Sequence, residues 1–195
     1  MGVLVMGRRA VFLDRDGVVN NAIVREHKPY PPANLQEVVI AAEVEPALRR
    51  LKSWGFLLIV ATNQPDVSRG SSSKDEVEKI HRFLSHQLPL DDFFVCYHDD
   101  GDGCLCRKPL PGLLLGAAFR YDVDLTNSYL IGDRWRDIDA GTAAGCRTIL
   151  IDRGYKERSP SILPDTRVTS LSEAVAWIAT QEALVTGQSS LPIAM

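Results

Sequence analysis

The sequence predicts a doubly wound, Rossmann-like α/β domain, a parallel sheet with helices on both faces. Two observations carry this. Short apolar runs bounded by turn residues recur along the chain, and stretches with helical spacing of apolar residues stand between them. The runs lack strict alternation and are rich in β-branched and large apolar residues, as strands buried on both faces are.

Taken in order, Ala10 to Leu13 predicts the first strand and Phe56 to Ala61 the second. Phe93 to Cys96, Ser128 to Ile131 and Thr148 to Ile151 predict three more. After the first strand, Val44, Ala47, Leu48 and Leu51 recur at helical spacing, with Pro46 in the first turn and Gly55 as the stop. Ser73 and Glu76 form a capping-box pattern ahead of Val77, Ile80, Leu84 and Leu88. Pro111 opens a helix through Leu114 and Phe119, a shorter one follows Arg134 and ends near Gly145, and the last covers Leu171 to Ile178. Residues 1–181 are expected to form a single domain and 182–195 a flexible tail.

The chain has 195 residues, 45% hydrophobic and 24% charged, enough for one domain with a substantial core. A net charge of −3 without a basic run argues against nucleic-acid partners and leaves room for a small phosphorylated substrate. No stretch approaches the roughly 18 consecutive apolar residues of a membrane span. The run Gly2 to Met6 is too short for the core of an export signal. A soluble, cytoplasmic, monomeric protein is expected.

Four sequence features fall at the ends of predicted strands, the edge where open α/β sheets bind ligands. Asp14-Arg15-Asp16-Gly17-Val18-Val19-Asn20 follows the first strand and offers a nucleophile and a proton donor, although a lone pair of aspartates is as easily a surface turn. Thr62-Asn63-Gln64 follows the second, with a hydroxyl and amides ready to donate to an anionic oxygen. Arg107-Lys108-Pro109 precedes a helix; its lysine can neutralise a phosphoryl group and its arginine fork can hold a second phosphate or a hydroxyl. Gly132-Asp133-Arg134-Trp135-Arg136-Asp137 follows the fourth, with Asp133 and Asp137 on one helical face, suited to a hard divalent cation or to helix capping. Asp139 lies off that face and is expected in solvent.

Cys96, His98, Cys104 and Cys106 crowd into one loop and make a complete Cys₃His donor set for a closed, structural zinc site; redox chemistry is the competing reading, but CxC is short for a disulfide and leaves His98 without a role. An EF-hand reading of Asp99 to Gly103 fails for want of a glutamate at the twelfth loop position. Cys146 reads as a buried thiol. His27, His81 and His86 have no ligand spacing and read as structural or surface residues. The zinc loop ends one residue before Arg107-Lys108 and is expected to fix the loop that carries them.

In this order, the four strand-end motifs resemble the signature motifs of the haloacid dehalogenase (HAD) superfamily of phosphatases, over nearly the whole chain from about Arg9 to Ile178. The resemblance implies that Asp14 attacks phosphorus to form an aspartyl-phosphate while Asp16 protonates the leaving oxygen and then activates water. It implies that Thr62 and Lys108 bind the phosphoryl oxygens, and that Asp133, the Asp14 carboxylate and the Asp16 carbonyl hold Mg²⁺, with Asp137 orienting their neighbours. The zinc loop with FLDRDGVVN, TNQ, CRKP and GDR is similar to the small zinc-containing branch that acts on heptose 1,7-bisphosphate and histidinol phosphate.

Neither interval between motifs has room for a folded cap, so specificity is expected from loops. Asn20, Asn63, Gln64 and Arg69 are candidate substrate contacts, and Arg107 and Arg134 are candidates for the distal end of a doubly anionic sugar phosphate. The stretches 23–32 and 65–70 depart from the commonest pattern of that branch. A heptose bisphosphate is the leading substrate. Histidinol phosphate is the alternative, with Asp66 or Glu26 meeting its amine, and a catalytically idle zinc-stabilised binding module is the alternative of another class.

Overall fold

The structure, a computed structural model, describes residues 7–186. Six parallel strands form the main sheet: β1 (Ala10–Leu13), β4 (Leu57–Asn63), β5 (Asp92–Cys96), β6 (Tyr129–Gly132), β7 (Arg147–Ile151) and β8 (Thr166–Val168). Their spatial order is β5-β4-β1-β6-β7-β8. The chain builds outward from β1 on one side, then crosses and builds outward on the other, which puts the topological switch at β1. Asp14 is the next residue.

Alternate residues of β1 serve two cores. Val11 and Leu13 pack with α1 (Val44–Ser53), α2 (Lys74–Gln87) and α5 (Leu171–Thr186) through Leu48, Leu51, Ile80, Leu84 and Ile178. Ala10 and Phe12 face the other side, against Leu113, Leu114 and Ala117 of α3 (Gly112–Tyr121). A further helix, α4 (Trp135–Ala144), packs on β6 and β7. The predicted cap at Ser73 is present, its side chain accepting from the Glu76 N–H at 3.1 Å. None of these helices is long and apolar enough to cross a membrane.

The structure differs from the sequence expectation in four places. Strand β8 went unpredicted, being three residues on the sheet edge. Between β1 and α1 lies a two-stranded antiparallel hairpin, β2 (Ile23–Arg25) and β3 (Lys28–Tyr30). Asp139 is engaged: it accepts from Arg158, from the Ser161 N–H and from its hydroxyl. The last helix runs on past Glu182 to Thr186, because Glu182 is buried and bonded to Arg9 and to the Tyr129 hydroxyl. Of the expected tail, residues 187–195 lie outside the described residues.

Candidate active site

Parallel strands ending side by side bring the motifs into one place. Asp14 follows β1, Thr62 lies near the end of β4, Asp133 follows β6, and Lys108 reaches in from the loop after β5. Two glycines allow the close approach. A Cβ on Gly17, whose φ is +91°, would stand 1.8 Å from Asp133 Oδ2, and one on Gly132 would stand 2.1 Å from Asp137 Cβ.

Asp14 Oδ1 accepts from the Arg15 N–H at 2.8 Å and lies 3.0 Å from Lys108 Nζ. Its Oδ2 has no protein partner among the described residues and belongs to a residue lining the cleft. Burial pushes the Asp14 carboxyl up to about 6 against the opposing pull of Lys108. Lys108 is itself 2% exposed and also bonded to Asp137. Burial opposes its charge, but Asp137 and Asp14 outweigh that and hold the ammonium above the usual lysine range.

Asp133 is buried, and burial with the neighbouring Asp14 and Asp137 charges pushes its carboxyl well above the usual range. Tyr155 donates to its Oδ2 at 2.9 Å, while its Oδ1 is buried with no hydrogen-bond partner. Asp14, Asp133 and Asp137 present oxygens within 4.8 Å of one another. Three buried carboxylates against one ammonium, with one oxygen orphaned, is a donor set that fits a hard divalent cation. Asp137 is engaged elsewhere: one oxygen takes Lys108 and the other caps α4 through the Arg134 N–H at 3.0 Å.

Asp16 is held by three neighbours. Arg15 donates to both of its oxygens at 3.1 and 2.9 Å, Asn20 donates at 3.0 Å and Gln64 at 2.9 Å. Arg15 is fully buried and reaches back to His81 Nε2 and Gln64 Oε1. Burial and the Arg15 charge hold the His81 imidazolium down to about 3, so the ring is neutral and Nε2 accepts. Gln64 also donates to Thr62 Oγ1 at 2.9 Å, leaving the threonine O–H to donate elsewhere.

The second cluster is the predicted cysteine loop. All four cysteines are free thiols. Cys96 Sγ stands 3.3 Å from Cys106 Sγ and 3.7 Å from Cys104 Sγ. His98 Nδ1 lies 3.6 and 3.4 Å from Cys96 and Cys106 Sγ. Bonds of about 2.3 Å to sulfur and 2.0–2.1 Å to nitrogen put tetrahedral edges at roughly these lengths. Burial pushes the Cys96 thiol up to about 12, so only a bound cation would keep it a thiolate at neutral pH. The loop then positions the lysine: Arg107 donates to Asp100 and to the His98 carbonyl, and the Asn63 amide clasps the Lys108 backbone at both N–H and C=O, each at 3.0 Å.

Several expected substrate contacts have other work. Asn20 and Gln64, 1% and 2% exposed, hold Asp16 instead of lining the cleft. Asn63 faces the cleft, yet its amide is committed to Lys108. Arg69, Arg107 and Arg134 line the cleft as expected, but each is tied to a carboxylate: Asp99, Asp100 and Glu157 respectively. The reason is common to all six. Polar groups at a crowded site find protein partners before a ligand arrives.

Sequence reasoning missed the loop between β7 and β8. Arg153 donates to the Gly17 carbonyl at 2.9 and 3.1 Å, Tyr155 to Asp133, and the Lys156 N–H to the His27 carbonyl at 3.0 Å. Arg158 stacks 3.4 Å over Trp135. No motif marks this segment; its Arg-Gly-Tyr-Lys run was the only available signal.

Two aspartates after β1, a threonine and a lysine beside them, and an acidic pocket at the switch point suit an α/β hydrolase of the phosphoryl-transfer class. The HAD-hydrolase-like family matches residues 105–174. A Bordetella bronchiseptica D-glycero-beta-D-manno-heptose-1,7-bisphosphate 7-phosphatase is 36% identical over 188 residues, covering 90% of this chain and 99% of the relative. A Thermosynechococcus vestitus D-glycero-D-manno-heptose-1,7-bisphosphate 7-phosphatase is 33% identical, covering 90% and 97%. The solved structure of D,D-heptose 1,7-bisphosphate phosphatase from B. bronchiseptica, complexed with magnesium and phosphate, is similar with a TM-score of 0.71 and 31% identity, over 90% and 99% of the two chains. The chain belongs to the HAD-like hydrolases.

Proposed function

We propose that this chain is a Mg²⁺-dependent phosphomonoesterase that converts D-glycero-D-manno-heptose 1,7-bisphosphate to the 1-phosphate. The observation that carries the chemistry is Asp14 Oδ2, free beside Lys108 and two further buried carboxylates. The substrate comes from the relatives' names and from the charge of the cleft. Asp14 Oδ2 attacks the phosphorus at C7, and the P–O bond to the sugar breaks as Asp16 gives its proton to the departing oxygen. Asp16, now a carboxylate held by Arg15, Asn20 and Gln64, takes a proton from water. That water attacks phosphorus, and phosphate leaves with Asp14 restored. Thr62 and Lys108 hold the phosphoryl oxygens throughout. Asp14, Asp133 and the Asp16 carbonyl would hold Mg²⁺, which offsets the charge of an anionic nucleophile meeting an anionic phosphate.

Cys96, His98, Cys104 and Cys106 are assigned to structural zinc, steadying the loop that carries Arg107 and Lys108. The working unit is taken as a monomer with one catalytic domain, in the cytoplasm. Histidinol phosphate is disfavoured because its amine needs an unpaired carboxylate in the cleft. Asp66 lies 3.6 Å from Arg69, and Glu157 is paired with Arg134.

A phosphate-release screen tests the reading. Heptose 1,7-bisphosphate of either anomer should exceed histidinol phosphate and common sugar monophosphates in kcat/KM. A greater kcat/KM on histidinol phosphate would replace the substrate assignment, and no turnover of any phosphomonoester would favour an idle binding module.

A further inference from the structure

We propose that Lys28 and Lys156 together bind the second phosphate of the substrate, the one that is not transferred. The assignment rests on the bisphosphate reading above and names the residues that distinguish two phosphates from one.

The cleft beside Asp14 has a volume of about 380 Å³ and is lined by seven cationic side chains. Five of them are already paired with a carboxylate, two of the five sharing one. Lys108 lies between Asp14 and Asp137, Arg69 is on Asp99, Arg107 and Arg136 are on Asp100, and Arg134 is on Glu157. Lys28 and Lys156 have no carboxylate within ion-pair distance among the described residues. A phosphate arriving at a paired arginine must displace or share a carboxylate that is already in place, whereas one arriving at these ammonium groups meets uncompensated charge. The cationic groups of the cleft without a carboxylate partner among the described residues are therefore these two.

Their placement is built into the fold. Lys28 begins β3 of the hairpin and Lys156 lies in the loop after β7, far apart in sequence. The Lys156 N–H donates to the carbonyl of His27, the neighbour of Lys28, at 3.0 Å. The β7–β8 loop is in turn fastened to the catalytic loop, Arg153 to the Gly17 carbonyl and Tyr155 to Asp133. The two ammonium groups thus hang from backbone that is tied to the residues around the transferred phosphate. Tyr30 and the Pro29 and Pro31 rings line the same cleft and offer an apolar wall for the body of a sugar.

The test is the ratio of kcat/KM for heptose 1,7-bisphosphate over p-nitrophenyl phosphate, which carries no second phosphate, in wild type, Lys28→Met, Lys156→Met, the double variant and Lys156→Arg. Loss of a charge-assisted contact should lower the ratio about tenfold in each single variant and up to about a hundredfold in the double, chiefly through KM. Lys156→Arg should restore most of it. A double variant whose ratio stays within about twofold of a strongly selective wild type would overturn the lysine assignment and leave the phosphatase reading standing. A wild type with no preference for the bisphosphate over p-nitrophenyl phosphate would overturn the lysine assignment and the bisphosphate reading together.

Discussion

The burial of Asp14 has a consequence that can be measured without substrate. Its carboxyl is raised from an ordinary 3.8 to about 6, by desolvation first and against the attraction of Lys108. A raised carboxylate favours folding while it is protonated: that contribution is complete below pH 3.8 and is lost as pH rises through about 6. At about 1.4 kcal/mol per pH unit, the ionised group costs the metal-free fold about 3 kcal/mol at neutral pH. The amide that replaces it in an Asp14→Asn variant stays neutral at every pH. Without added Mg²⁺ at pH 7.5 the variant should melt roughly 6–12 °C above wild type, at roughly 2–4 °C per kcal/mol for a domain of this size. At pH 4 the gap should close. Saturating Mg²⁺ at pH 7.5 should also narrow it, by stabilising only wild type. The assay is thermal denaturation followed by circular dichroism, with Mg²⁺ omitted instead of chelated so that no metal is stripped from the cysteine loop. A variant that melts below wild type at pH 7.5 would refute the reasoning, because the Lys108 attraction would then exceed the cost of burial.

Three further outcomes follow from the same geometry. Removing zinc with a strong chelator should lower both Tm and kcat, with Zn²⁺ rather than Mg²⁺ restoring Tm; a protein that contains no zinc as purified and keeps its Tm would contradict the structural zinc assignment. Tyr155→Phe removes the donor to Asp133 Oδ2 and should weaken Mg²⁺ binding roughly 10–100-fold by calorimetry, with little change in Tm. Gly17→Ala places a methyl group 1.8 Å from Asp133 Oδ2 and forces a side chain onto φ +91°, so Mg²⁺ binding should fail in calorimetry; retained binding would show that the two loops can separate.

The chemistry of this site was legible because it is local. Each motif follows a hydrophobic run, and parallel strands that end together bring the motifs together without further information. The Cys96, His98, Cys104 and Cys106 cluster was legible for the same reason, lying within eleven residues in sequence. What escaped was either locally weak or long-range. The β2–β3 hairpin turns on Glu26 and His27, both at positive φ (50° and 62°), where an Asn-Gly pair would have signalled the turn. Tyr155 and Lys156 have no periodicity and gain meaning only from Asp133 and His27, more than twenty residues away. Asn20, Gln64 and Arg134 were identified as site residues, but whether such a side chain meets substrate or a protein partner depends on neighbours that sequence order does not reveal.

The most direct test is to quench the reacting enzyme, reduce any acyl phosphate with borohydride and map the peptides by mass spectrometry. Reduction of a phosphorylated aspartate leaves homoserine, which should appear at position 14 and nowhere else, and only in the presence of Mg²⁺ and substrate. Homoserine at position 16 or 133, or turnover with no trapped residue under conditions where the intermediate accumulates, would contradict Asp14 as the nucleophile.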